Sequence, residues 1–538
     1  MRPPRIIDPE TSRTKMKCSG LRASAPPRRS LISALLAMVR GKRWLRCPRY
    51  RSSVAGSAFQ PAGTCGGYRL SRSPGTATTT PQVITRRSGT PMVLPEGVEV
   101  DLGPLGRARV TSLLGQGGQG YVFEVRRDSG EPLALKWYKP ESATAQQYDE
   151  MQQLVEIGSP HQRFLWPLSM ARVGAEASFG YVMHLRHQRF LELSYLLLNA
   201  DRDGRPLDVS FASIIELCRQ LSYSFLRLHA RGLCYRDISF GNVFFDPSNG
   251  DVLICDNDNV GIDNGTGRVL GTPYFMAPEV VRDTTYRTLP NTDTDRHSLA
   301  VLLFYSLFLG HPLEGARTDA GMRDAHWLMT HFGTDPLFCM HPSRAENRPA
   351  TIVQQYWNIY PKFLRDLFTQ AFVDGMDNPG ARVTEGQWIK AMDRLRDGML
   401  ACPTCGTTNF WSQGDASLTC WQDQTEFTPP YLLQIGRRTL AVGPQTAIRS
   451  DHLTSGVDQP TPLARVRQHP EARERWGLHN DSDFSWPVTY PGGQHFLLEP
   501  DRTIELVNGA RIQIRNATVQ VRQPTPPAPS SPVTSVVG

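Results

Sequence analysis

The segment Cys234-Tyr-Arg-Asp-Ile-Ser-Phe-Gly-Asn242 restricts the fold more than any other stretch of the chain. It sets a carboxylate, Asp237, five residues before a carboxamide, Asn242. It follows a run in which Ile214, Ile215, Cys218, Leu221, Phe225 and Leu228 recur at helical spacing, so a helix over 214–229 delivers the chain into a polar loop. Such a loop can orient a hydroxyl with its carboxylate and hold a metal ion with its amide oxygen, two needs of phosphoryl transfer. Arg-Asp pairs are common on solvated loops, so the weight of the motif depends on its neighbours in the sequence.

Upstream, Leu113-Leu-Gly-Gln-Gly-Gly-Gln-Gly-Tyr-Val-Phe-Glu-Val125 spaces Gly115, Gly117 and Gly120 as G-x-G-x-x-G. Apolar alternation on both sides predicts strand, glycine turn, strand. A dinucleotide fingerprint would need a helix directly after the glycines, and a strand follows instead. Glycines there let the backbone approach phosphate oxygens with no Cβ in the way. Sixteen residues after Gly120, Lys136 lies inside the apolar strand pattern Leu133-Ala-Leu-Lys-Trp-Tyr138. A lysine is rarely buried without an anionic partner, and phosphate oxygens or a helix glutamate would serve. The segment 143–157 has helical character and offers Glu150 and Glu156.

Downstream, Val243 to Cys255 reads as a hairpin turning at Asn249-Gly250 and ends in Asp256-Asn-Asp258, a place for a metal-binding aspartate. Gly271-Thr-Pro-Tyr-Phe-Met-Ala-Pro-Glu279 follows. With these parts in this order, the region from about 105 to 400 resembles a eukaryotic-type (Hanks-type) protein kinase domain. The resemblance implies an α+β, bilobal fold with a β-rich N-lobe and a helical C-lobe. It implies that Lys136 contacts the α and β phosphates of ATP and pairs with Glu150. It also implies that Asp237 is the catalytic base and that Asn242 and Asp256 hold Mg2+. Val122, Ala134 and Phe244 would enclose the adenine beneath the glycine loop, with Met183, His184 and Leu185 as the hinge. Glu279 would pair with Arg382, Asp295 would anchor the catalytic loop, and Thr272 would contact the base.

Three positions depart from the family pattern. Tyr235 stands where a histidine is usual, in a packing role. Ser239 stands where Ser/Thr kinases carry a lysine, which removes one source of charge stabilisation at the transferred group. Asn257-Asp258 replaces Phe-Gly after the metal-binding aspartate. The expected function is a soluble Ser/Thr kinase acting on protein substrates. A nucleotide-binding pseudokinase serving as a scaffold is the alternative. Arg236 beside the base suggests docking of an activation-segment phosphate, for which Thr266 is the candidate hydroxyl.

The net charge of +8 is misleading as to partners. Residues 1–90 hold 18 Lys and Arg against 2 Asp and Glu, leaving 41 basic and 49 acidic side chains in the rest. The folded part is acidic, so no nucleic-acid partner is expected. Residues 1–95 read as a disordered Arg-rich extension, as a transit peptide, or as sequence upstream of a true start at Met92. The apolar run 31–39 is too short to cross a bilayer, so no membrane partner is expected.

Ten cysteines in this length do not suggest a disulfide framework, and a reducing cytoplasm fits them. Cys402-Pro-Thr-Cys405-Gly followed by Cys420 resembles a zinc ribbon lacking one ligand, over 401–427. Zn2+ would need Asp423 or a distant histidine to complete four ligands, and a metal-free ribbon remnant is the other reading. From 428 to 522, short apolar runs broken by Gly, Pro and Asn predict a small antiparallel β-sandwich. Its later part, from Trp476-Gly-Leu-His-Asn-Asp-Ser, is faintly similar to forkhead-associated domains, and a protein-interaction role is expected. Residues 523–538 are Pro- and Ser-rich and read as a disordered tail. Kinase, ribbon and β-rich module together resemble bacterial Ser/Thr kinases of stress or regulatory signalling.

Overall fold

A computed structural model of the protein describes residues 93–263, 271–285, 287–319, 321–349 and 351–524. The basic extension before Val93, Thr266 and the tail from Thr525 onward lie outside these residues.

The first sheet is six-stranded and antiparallel, with strands β1 (Glu99–Asp101), β2 (Arg107–Gln116), β3 (Gly120–Arg127), β4 (Pro132–Tyr138), β5 (Ser169–Ala171) and β6 (Gly180–His184) in the order β1-β2-β3-β4-β6-β5. It starts upstream of residue 105, because Glu99 to Asp101 pair with Arg109 to Arg107. The helix between β4 and β5, α1 (Ala145–Ile157), is capped by Thr144, whose Oγ1 accepts from the Gln147 N–H at 3.1 Å. Its buried side chains are Met151 and Leu154. The half-buried Gln147 and Glu150 border the face that α1 turns inward.

A helical region follows. Its long helices are α2 (Phe211–His229), α3 (Thr292–Phe308) and α4 (Glu385–Asp397). Ser210 caps α2, Asn291 caps α3 with Thr294, and Thr384 caps α4 with Gln387. From Thr294 to Phe308 almost every side chain of α3 is buried, as suits a helix surrounded by others. Short strands β7 (Leu191–Glu192), β8 (Leu233–Cys234), β9 (Val243–Phe245), β10 (Val252–Ile254) and β11 (Gly261–Ile262) pair as β10-β9-β7 and β11-β8. They hold the 234–242 loop at the edge of the helical layer. One apolar cluster runs from Ala134 through α2 and α3 to Phe410, so sheet and helices share a core.

Past α4 come two small hairpins, β12 (Met399–Ala401) with β13 (Thr408–Phe410) and β14 (Leu418–Thr419) with β15 (Glu426–Phe427). Ten more strands follow: β16 (Leu432–Ile435), β17 (Arg438–Ala441), β18 (Ala447–Arg449), β19 (Pro462–Gln468), β20 (Trp476–Asn480), β21 (Trp486–Thr489), β22 (His495–Leu498), β23 (Thr503–Glu505), β24 (Arg511–Ile514) and β25 (Ala517–Arg522). They form a six-stranded sheet, β17-β16-β25-β24-β21-β22, and a four-stranded one, β18-β19-β20-β23. Both sheets contribute to a second apolar cluster centred on Trp486. Among the described residues no helix is long and apolar enough to cross a membrane.

Candidate active site

The 234–242 loop is fixed from below by one buried carboxylate. Asp295, on the first turn of α3, accepts from the Tyr235 N–H at 2.5 Å and from the Arg236 N–H at 2.9 Å. Arg236 takes a left-handed conformation, φ 71°, which a non-glycine residue adopts only when its surroundings impose it. The Tyr235 ring is buried against Phe225, and its hydroxyl donates to the Cys255 carbonyl. Asp237 is thereby presented at the loop's rim, half-buried. Thr272 Oγ1 donates to its Oδ1 at 2.6 Å. Asn242 Nδ2 donates to the Asp237 carbonyl at 2.8 Å and to Oδ2 at 3.3 Å. With its nitrogen so engaged, Asn242 has its side-chain oxygen left for a cation.

Asn242 also leads to the next carboxylate. The Cys255 N–H donates to the Asn242 carbonyl at 2.9 Å, which sets Asp256 beside the loop. Asp256 is left-handed, φ 58° and ψ 46°, and opens a single 3-10 turn over Asn257–Asn259. Asn257 fills the usual phenylalanine position with a buried amide that donates to the Leu165 carbonyl at 2.9 Å and the Ile254 carbonyl at 3.3 Å. From the sheet side, Lys136 Nζ reaches Asp256 Oδ1 and, at 2.7 Å, Asp258 Oδ2. Lys136 is thus joined to Asp256, and Asn242 to Asp237, and the two pairs are linked through the backbone bond from Cys255 to Asn242.

Electrostatics reinforce this arrangement. Burial works against the Lys136 charge, but Asp258 and Asp256 outweigh it and hold the ammonium well above its ordinary pKa. Burial and the neighbouring Asp258 charge raise the Asp256 carboxyl. Asp258 is also buried, yet Lys136 and the Tyr138 hydroxyl, 2.7 Å away, keep it below the ordinary carboxylate value.

The Glu150 expectation is corrected by the geometry. Glu150 accepts from Gln146 at 2.9 Å, and the rival Glu156 accepts from Gln152 at 3.1 Å. Glu150 is half-buried at the border of the inward face beside Gln147 and Glu156 is exposed, and the carboxylates that Lys136 meets are those of Asp256 and Asp258 instead. Asp258 and Tyr138 were missed because an aspartate in a glycine position reads as a loss. The signal available was a buried lysine with a second acidic residue two positions after the first.

Val122, Ala134 and Met183 lie beside Lys136 on the sheet: Val122 pairs with Lys136, and Ala134 with Met183. Ala134 and Met183 are buried, and Val122, Leu185 and Phe244 are half-buried. Arg186, not singled out from sequence, lays its guanidinium 4.1 Å from the Phe244 ring centroid and donates to the Phe190 carbonyl at 2.7 Å. The glycines divide by role. Gly115 has nothing within 4 Å of where a Cβ would stand, and Gly117 has only the Gly120 carbonyl at 3.9 Å. A Cβ on Gly120 would lie 2.4 Å from the Trp137 carbonyl, so this glycine serves strand packing. Lys139 ties down the loop by donating to the Gly117 and Gly118 carbonyls at 2.8 and 3.0 Å.

Farther from the loop, Arg382 donates to Glu279 through both terminal nitrogens, at 2.8 and 2.7 Å. The cysteines converge as well: one ligand atom from each of Cys402, Cys405, Cys420 and Asp423 lies within 4.8 Å of the others. Two knuckles repeat one backbone pattern. Cys402 N–H donates to Thr407 and Gly406 N–H back to Cys402, while Cys420 N–H donates to Thr425 and Gln424 N–H back to Cys420. Gly406 and Gln424 are both left-handed, φ 74° and 61°, so Asp423 occupies the position of the second knuckle's missing cysteine.

The protein kinase domain family model matches residues 108–346. This region is a protein kinase domain. Relatives agree at modest identity. The protein kinase gsk3 of Schizosaccharomyces pombe is 32% identical over 210 residues, 34% of this chain and 48% of that one. The probable serine/threonine-protein kinase zyg-1 of Caenorhabditis elegans is 26% identical over 206 residues, 37% of this chain and 27% of that one. Calmodulin-binding receptor-like cytoplasmic kinase 2 of Arabidopsis thaliana is 23% identical over 257 residues, 44% and 58% of the two chains. The chain spans less than two thirds of the length of each.

Proposed function

We propose that the protein transfers the γ-phosphoryl group of ATP to Ser or Thr hydroxyls of protein substrates, with ATP bound between the six-stranded sheet and the helical region of a two-lobed kinase. The observation that carries the reading is the linkage from Lys136 to Asp256, through the Cys255 backbone to Asn242, and on to Asp237. Asp237, held by Thr272 and Asn242, orients the acceptor hydroxyl and takes its proton as the new O–P bond forms and the bond to the β-phosphate oxygen breaks. Lys136 offsets charge on the phosphates. Val122, Ala134, Met183, Leu185 and Phe244 enclose the base, and Gly115 and Gly117 leave room above the phosphates. Asn242 and Asp256 offer one neutral and one anionic oxygen, a donor set suited to magnesium, which would neutralise charge on the departing diphosphate.

Loss of transfer from labelled ATP to a protein substrate in Asp237→Asn, with ATP binding retained, is the expected result. Equal and near-zero transfer by both proteins would favour the scaffold reading, which the departures at Ser239 and Asn257 motivate. The tandem of kinase domain, cysteine knuckles and β-rich module supports a place among bacterial stress or regulatory kinases, with residues 428–522 as the module that meets a protein partner.

Cys402, Cys405, Cys420 and Asp423 form a further donor set. Three thiolates and a carboxylate on paired knuckles suit tetrahedral zinc, for which sulfur–sulfur spacings near the 3.6 Å between Cys405 and Cys420 are right. Elemental analysis of the purified chain should find about one zinc per molecule and a clear loss in Cys405→Ser. Equal metal content in the two proteins contradicts the assignment.

A further inference from the structure

A lysine buried under a nucleotide needs an anion that stays with it when phosphates arrive and a metal claims the neighbouring carboxylate. Helix α1 supplies none. Glu150 borders its inward face beside Gln147 but is bonded to Gln146, and the exposed Glu156 is bonded to Gln152, so neither carboxylate meets Lys136. The Gln147 amide instead lies 3.5 Å from both the Tyr138 hydroxyl and the Asp258 carbonyl. The two aspartates at Lys136 differ in exposure: the side chain of Asp256 is 37% exposed, that of Asp258 0%. Asp256 can turn to a cation. Asp258 is held where it is, by Lys136 and Tyr138 at 2.7 Å each and by the buried Asn257 amide that fixes the turn on which both aspartates sit.

We propose that Asp258 is the residue that positions Lys136 for the nucleotide phosphates, in place of a glutamate from α1. The inference rests on the kinase reading. It has a mechanical consequence: the lysine's partner comes from the start of the 256–260 turn, so movement of α1 does not make or break the pair. Ordering of that turn does.

The test uses the full chain with Asp258→Asn, Tyr138→Phe and Glu150→Gln, and two readouts. One is the rate at which an amine-reactive acylating reagent modifies Lys136 in nucleotide-free protein, quantified on its peptide by mass spectrometry. The other is the KM for ATP and the kcat of transfer. Asp258→Asn removes the buried carboxylate that holds the Lys136 ammonium at 2.7 Å, so the amine should acylate about tenfold faster. Its KM for ATP should rise by a similar factor, more than kcat falls. Tyr138→Phe removes one hydrogen bond to Asp258 and should shift acylation in the same direction by about threefold. It serves as the deciding variant if Asp258→Asn does not fold. Glu150→Gln should match the wild type in both readouts. The inference is overturned if Glu150→Gln loses activity and exposes Lys136, or if acylation is unchanged in the Asp258 and Tyr138 variants. A wild type that transfers no phosphate would defeat the kinase reading, while the acylation rates would still decide the Lys136–Asp258 pairing.

Discussion

Arg382 has a side chain only 1% exposed, and its charge is met by both oxygens of Glu279. Replacing Glu279 by Ala would leave that charge buried without its carboxylate, at a cost of about 3–5 kcal/mol. A chemical-denaturation midpoint lowered at unchanged slope would report it, and an unaltered midpoint would speak against the pair. This pairing was legible in the sequence because the Ala-Pro-Glu motif and the later arginine each stand at a recognisable position. Residues whose role depends on which partner the side chain takes were harder to read. Glu150 has suitable spacing from Lys136, but it stands at the border of the buried face and is engaged by Gln146, and spacing alone does not reveal which partner it takes. Asp258 was hidden for the opposite reason: its sequence position looked like a defect, and its partner lies 122 residues away.

Three helices meet at one imidazole. His229 ends α2, and its Nε2 lies 3.0 Å from Asp295 on α3 while its Nδ1 lies 2.8 Å from Glu385 at the start of α4. Burial works against its charge, but the hydrogen bonds to Asp295 and Glu385 outweigh this and carry its pKa to about 9. The folded value lies above the ordinary 6.5, so the stabilisation is fully present below about pH 6.5 and is lost as pH rises through 9. Burial works to raise the Glu385 carboxyl, but His229 and Arg296 outweigh it and hold it near 2, so its contribution disappears only as pH falls from 4.5 through about 2. Denaturation midpoints should therefore decline between about pH 6.5 and 9, and His229→Gln should flatten that decline. A variant with the same alkaline slope as the wild type contradicts the assignment. At the scale of elements, the helices over 145–157 and 211–229 and most strands after 431 were legible from apolar period. The strands β18, β19 and β20 were not. β19 opens on a proline, which weakens a strand reading even though Ala464-Arg-Val-Arg467 alternates as a strand does. β20 carries Gly477, where a Cβ would meet the Ile504 carbonyl at 2.9 Å, a close approach that only the partner strand explains.

Two ionic clasps join the β-rich module to the kinase domain. At the end of α4, Asp397 meets Arg438 at 2.7 Å and His452 at 2.9 Å, while Arg396 meets Asp451 at 2.5 Å. On the other side, Asp458 bonds His161 at 2.8 Å and Arg163 at 2.5 Å, on the stretch between α1 and β5. Arg219 of α2 donates to the Val457 and Asp458 carbonyls at 2.6 and 2.8 Å. The later segments are therefore seated on α2, α4 and the stretch between α1 and β5, which no local sequence pattern announces, since each clasp pairs residues tens to hundreds of positions apart. The claim that unites these parts is that Lys136, Asn242 and Asp256 serve one bound triphosphate. Calorimetric titration of the full chain with a non-hydrolysable ATP analogue, with and without magnesium, tests it most directly. Lys136→Met, Asn242→Ala and Asp256→Ala should each weaken magnesium-dependent binding by about tenfold or more, the loss of at least one charge-assisted contact. Wild-type affinity in all three variants, or binding indifferent to magnesium, would contradict the account.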